Sequence, residues 1–168
     1  MAHLAQVNAA TLRYPVDDPR LAGFTAVVDR IHRLAETAPG FVWRHPDAHR
    51  HRYPDAELSN AGGAPLTVVN LSVWESYEAL HAFTYRSVHG QLVRRRAEWF
   101  LPPGGATTAL WWVPDHATPD PVVALARLRH LRRHGPGPRA FSVRRRFDPE
   151  GRPSQPGPSR KASTRGAS

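Results

Sequence analysis

The chain has 168 residues, 40% hydrophobic and 22% charged, which is enough for one globular domain with a sizeable core. No apolar run approaches the roughly 18 residues of a membrane span, and no basic leader precedes an apolar segment at the start, so a membrane partner is not expected and the cytoplasm is. Absence of cysteine excludes disulfide and thiolate chemistry. A net charge of +9 invites a nucleic-acid reading, but much of the charge sits in "RLRHLRRHGPGPR", "RRRFDPEGR" and "SRKASTRGAS" without zinc-finger, RNP or helix-turn-helix patterns, so nucleic acid is not the expected partner.

In chain order, His3–Leu12 alternates loosely and reads as a strand. Residues 17–40 read as a helix, with Asp18 as cap, Pro19 in the first turn and Gly40 at the stop. Leu21, Phe24, Val27, Val28, Ile31, Leu34 and Ala35 recur at helical spacing to bury one face. Phe41–His45 is a short strand, and the polar stretch Pro46–Pro65 reads as a loop. "LTVVNLSVW" (Leu66–Trp74) is the strongest strand, and Ser76 caps a helix expected to run to about Glu98 before "PPGGA" breaks it. "TTALWWV" is a fourth strand, with Trp111 and Trp112 on opposite faces. A further helix follows, capped by Asp120 and ended by Gly135, and "AFSVRRRF" is a final short strand. From Asp148 onward the composition predicts a disordered basic tail, so the domain is expected to span 1–147 and the tail 148–168.

This order predicts an α+β fold of ferredoxin-like β-α-β-β-α-β type with an added C-terminal helix. One sheet face packs on helices, and a second copy's sheet is expected to cover the other, giving a homodimer with an enclosed space. Strand alternation puts Asn70, Ser72 and Trp74 on one face and Val69, Leu71 and Val73 on the other. The polar face, with an amide that donates and accepts and a flat indole wall, is suited to orienting an aromatic ligand. On the helix after it, Tyr77, Leu80, Thr84, Val88 and Trp99 form a buried stripe. Glu78, Tyr85, His89 and Arg96 form the neighbouring one, and His81 lies between them. That geometry suits a cleft wall, and it also suits the wet border of an ordinary amphipathic helix.

Other chemistries find less support. His45, His49 and His51 lie in a Pro- and Asp-containing stretch with no carboxylate or cysteine set to complete a metal site, so no metal is expected. There is no Gly-x-Ser-x-Gly turn and no glycine-rich phosphate loop after a strand.

The segments "NLSVWES", "EALHAFTYRSVHGQLVRRRAEWF", "WWV" and "HGPGPRAFSV" resemble an uncharacterised actinobacterial-type family of dimeric α+β-barrel proteins, over Leu4 to Phe147. Its wider superfamily holds quinone-forming monooxygenases of antibiotic biosynthesis, which need no cofactor, and haem-degrading monooxygenases. The resemblance implies a tailoring enzyme, a monooxygenase or cyclase, acting on an aromatic or polyketide-like substrate in the barrel cavity. It implies His89 as base, with Asn70, Trp74 and Tyr85 orienting ring oxygens. Asn8, His81, Arg94, Arg96 and Trp111 are the further candidates for binding substrate. In the haem-degrading branch Asn8, Trp74 and His89 take the principal parts and haem is the cofactor. A non-catalytic carrier or accessory dimer is the third reading.

Overall fold

The computed structural model describes residues 1–15, 17–46, 53–54, 66–86 and 95–154. Strand β1 (Ala2–Thr11) is the pivot of an antiparallel sheet. It pairs with β4 (Leu66–Trp74) on one side and with β5 (Thr108–Pro114) on the other. Strand β2 (Phe41–Arg44) flanks β4, giving the order β2-β4-β1-β5. A two-residue strand β3 (Tyr53–Pro54) also pairs with β4, opposite Thr67 and Leu66. It falls inside the stretch expected to be a loop, where backbone pairing to the long β4 overrides a polar, turn-rich composition.

Helix α1 (Ala22–Glu36) is entered through a 3-10 turn, Pro19–Leu21, whose Asp18 cap accepts the Arg20 N–H. Its buried stripe is Phe24, Val28, His32 and Ala35, whereas Leu34, expected inside, is 41% exposed. Helix α2 (Tyr77–Arg86) starts at Ser76, whose Oγ accepts the Ala79 N–H at 3.2 Å. Residues 95–99 are helical as well, and the expected helix between them, 87–94, lies outside the described residues. Helix α3 (Pro121–His134) is capped by Asp120, which accepts the Val122 N–H at 2.7 Å.

The sheet is covered on both faces by this one chain. Val7, Leu71, Val73, Trp111 and Val113 pack with Leu125, Leu128 and Leu131 of α3. On the other face Leu4, Trp74 and Leu110 pack with Ala35 of α1 and Leu80 of α2. At one end Leu12 and Val68 join Phe24, Trp99 and Phe100. This reverses the expected arrangement, in which the Val69, Leu71, Val73 face met the first two helices and the polar face looked toward a second sheet. The reason is α3. It covers the more apolar face, so α1 and α2 lie over the face that carries Asn70, Ser72 and Trp74.

The chain stays ordered past Phe147. Of the expected last strand, Arg146–Phe147 forms β6 and pairs with β7 (Pro153–Ser154). Phe141 exchanges two backbone hydrogen bonds with Leu110, at 2.8 and 2.9 Å. The expected boundary at 147/148 thus cuts a hairpin, closed by Asp148 N–H to Arg152 O at 2.9 Å. Residues 155–168 lie outside the described residues.

Gly40 joins α1 to β2 and fixes how α2 sits. It has φ +78°, and its carbonyl accepts the Glu75 N–H at 2.8 Å. A Cβ there would fall 2.5 Å from the Ala79 Cβ. Gly40→Ala is therefore expected to lower stability by about 1–3 kcal/mol in a denaturant titration. Adding Ala79→Gly should recover the steric part and leave the dihedral part. Full stability in the single variant would mean that α2 is free to slide away from this turn.

Candidate functional site

Between the polar sheet face and helices α1 and α2 lies a cavity of about 620 Å³. Three rows of side chains cross this face of the sheet, set by the antiparallel register. The central row is Asn70–Asn8–Thr108, the next is Ser72–Gln6–Leu110, and the row at one end is Trp74–Leu4–Trp112. Phe24, Val28 and His32 from α1 and Leu80 and Thr84 from α2 form the roof.

The floor is held by a hydrogen-bonded chain. Trp74 Nε1–H donates to Ser72 Oγ at 3.0 Å, and Ser72 Oγ–H donates to Gln6 Oε1 at 3.0 Å. Trp74 is 1% exposed and lies against Phe83, stacked at 5.0 Å, and Phe41, edge-on at 5.4 Å. It is a fixed wall whose one donor is already used. Asn8 Nδ2–H donates to Thr108 Oγ1 at 2.8 Å. Asn70, directly across from Asn8, is half-buried, and its amide has no side-chain hydrogen bond among the described residues. Asn70 is thus the floor's uncommitted polar group.

Titratable groups ring the roof. His32 is 6% exposed and lines the cavity from α1. Arg44 also lines it and is tied to Glu36 of α1 by a 2.7 Å ion pair. Tyr77, His81 and Tyr85 make an aromatic ladder along α2 at the mouth, with ring centroids 5.6 and 4.4 Å apart. Arg146 sits over the outer face of the first ring, 3.9 Å from the Tyr77 centroid. Arg96 is half-buried at the far end, near Ala10 and Thr107.

Of the residues singled out from sequence, the cavity gathers Asn8, Asn70, Trp74, His81, Tyr85 and Arg96. Tyr85 is 79% exposed and marks the entrance rather than the floor. Trp111 is not in the site. It is 2% exposed on the α3 side of the sheet, and Trp112 takes the cavity side with its Nε1–H on Phe147 O at 2.7 Å. Glu78 is exposed and does not line the cavity. His89 and Arg94 lie outside the described residues, as do His49 and His51. His32, Gln6, Ser72 and Arg44 were not predicted as site residues. His32 had a readable signal, since the stripe 24, 28, 32, 35 passes through it at helical spacing.

Among the described residues no group of three or more His, Asp or Glu is placed to hold a metal ion, and no helix is long and apolar enough to cross a membrane. The family model of DUF3291, a domain of unknown function, matches residues 3–157. The chain belongs to the DUF3291 family. That match covers the sheet, helices α1, α2 and α3 and the β6–β7 hairpin. No curated protein sequence matches the chain significantly. Among solved structures it is similar to NE2512, a protein of unknown function from Nitrosomonas europaea, at 15% identity and a TM-score of 0.39, over 72% of this chain and 96% of that one.

Proposed function

We propose that this DUF3291 protein binds an aromatic or polyketide-like small molecule in the helix–sheet cavity and modifies it without a metal or organic cofactor, as a monooxygenase or cyclase of natural-product biosynthesis. The observation that carries the reading is the pair on β4. Trp74 is an immobilised aromatic wall, and four residues before it the Asn70 amide faces the cavity uncommitted. The volume is in the range of small-molecule sites, and the wall is mainly apolar with a few convergent polar groups. The antiparallel order β2-β4-β1-β5, with α1 and α2 over one face, supports the finer ferredoxin-like description of the fold.

In the oxidative form of this chemistry the substrate supplies the electrons. A phenol or anthrone loses a proton to a base, and the resulting carbanion gives one electron to O2. The radical pair recombines to a peroxide, and loss of water leaves a quinone. One O2 is consumed per anthrone, with one oxygen atom entering the new carbonyl and the other leaving as water. Asn70 stabilises the developing oxyanion by donating its N–H, and Trp74 orients the ring. His89 is the proposed base, and His32 is the imidazole buried in the roof.

The test is an oxygen-electrode assay with a hydroxyanthrone. Quinone formation with one O2 taken up per substrate assigns the monooxygenase. Product formed equally well without oxygen from a linear polyketide analogue assigns the cyclase. A sharp Soret band on hemin addition that is lost in His89→Ala would replace both with the haem reading. No turnover and no binding of aromatic probes would end the proposal.

A further inference from the structure

We infer that the ligand of this cavity is an aromatic anion, a carboxylate or a phenolate, and that Arg96 receives its charge. The inference rests on the cavity being a small-molecule site, as proposed above. Among the described residues that line it there are two arginines and two histidines, and no aspartate or glutamate. The two arginines are not equivalent. Arg44 is neutralised by Glu36 at 2.7 Å. The Arg96 side chain makes no hydrogen bond and no ion pair among the described residues, although the adjacent Arg95 is bound to Glu98 at 2.9 Å.

A guanidinium that is half-buried and unpaired keeps an unsatisfied demand for an anion, because it has lost part of its water without gaining a carboxylate. Its position matters as much as its charge. Arg96 lies beside Ala10 and Thr107, so it closes the end of the cavity next to the central polar row. A planar ligand lying over Asn8 and Asn70 would point one end at this guanidinium, and the aromatic rings of Trp74 and Phe83 would lie toward the other. The fork of Arg matches a carboxylate by two parallel N–H···O bonds and a phenolate by one. A cleft lined by one sign of charge with apolar walls also concentrates ligands of the opposite sign. Neutral polyaromatics would fit the walls and leave the half-buried Arg96 guanidinium without a partner, which the cavity would penalise.

The test uses two dyes with one skeleton: anilinonaphthalene sulfonate, which carries an anion, and N-phenylnaphthylamine, which does not. Both brighten in apolar sites. The expected result is tighter binding of the sulfonate, weakening with added salt, and displacement of the neutral dye by it. Arg96→Ala and Arg96→Gln should each weaken the sulfonate by about ten- to a hundredfold while changing the neutral dye by less than about twofold. Arg96→Lys should retain part of the affinity, since it keeps the charge and loses the fork. Thermal melts of the three variants separate loss of binding from loss of fold. Equal binding of both dyes, or sulfonate binding indifferent to all three variants, overturns the anion inference and leaves the cavity reading standing. Failure of both dyes to bind overturns the two together.

Discussion

Leu128→Ala is expected to destabilise the protein by about 2–5 kcal/mol in a denaturant titration, the largest stability effect of any single truncation on α3. Leu128 is fully buried at the middle of the helix, in the cluster that includes Ala5, Val7, Leu71, Val73 and Trp111 of the sheet. Truncation removes buried methyl groups and leaves a void that β-sheet backbone on one side and helix on the other cannot easily close. Val122 and Val123 on the same helix are 61% and 51% exposed, so their alanine variants should stay within about 0.5 kcal/mol. The contrast tests the architecture itself. If Leu128→Ala cost no more than Val123→Ala, α3 would not be the cover of this sheet face, and the face would be free for the first two helices, as the sequence suggested. A large difference means that the apolar face is satisfied within one chain.

Strand content was legible because the local signals agree. Leu66–Trp74 is rich in Val and Leu, and its bounds in the structure match those expected from sequence. The caps Asp18, Ser76 and Asp120 were readable for the same reason: a short polar side chain before an apolar period has a local job, accepting a backbone N–H two or three residues on. Alternation also gave the separation of Asn70, Ser72 and Trp74 from Val69, Leu71 and Val73. It does not say what covers each face, because that depends on contacts across the whole chain. Helix α3 meets β1 and β4 from far along the sequence, and nothing in the β4 pattern announces it.

The same distinction runs through the site. Opposite faces for Trp111 and Trp112 follow from the strand period, but which of them sees the cavity is decided by α3 on one side and by Phe147 on the other. Arg146 against Tyr77 joins residues far apart in sequence, and the "RRR" run around it reads as solvated surface until the fold brings α2 over it. His32 was hidden for a simpler reason. A pattern of hydrophobic residues alone includes Leu34 in the inner stripe of α1 and passes over the imidazole. The burial period selects by angle and not by polarity, so Leu34 faces out and His32 in.

Asn70→Ala is expected to separate function from stability. Turnover of the hydroxyanthrone should fall by about a hundredfold, in kcat more than in KM, because the amide is proposed to meet charge that develops only as the reaction proceeds. Stability should change by less than about 0.5 kcal/mol, since the Asn70 side chain has no hydrogen bond within the described protein to lose. Asn8, its neighbour across the ladder, gives the opposite pattern. Its Nδ2–H is bound to Thr108 Oγ1 at 2.8 Å, and Asn8→Ala strands that hydroxyl in a partly buried position. That variant should lose about 1 kcal/mol of stability. Measured side by side, the two substitutions remove the same chemical group from facing positions of one floor. If Asn70→Ala proved the more destabilising and left kcat intact, Asn70 would be a framework residue, and the reading of this cavity as a reaction site would lose its central group.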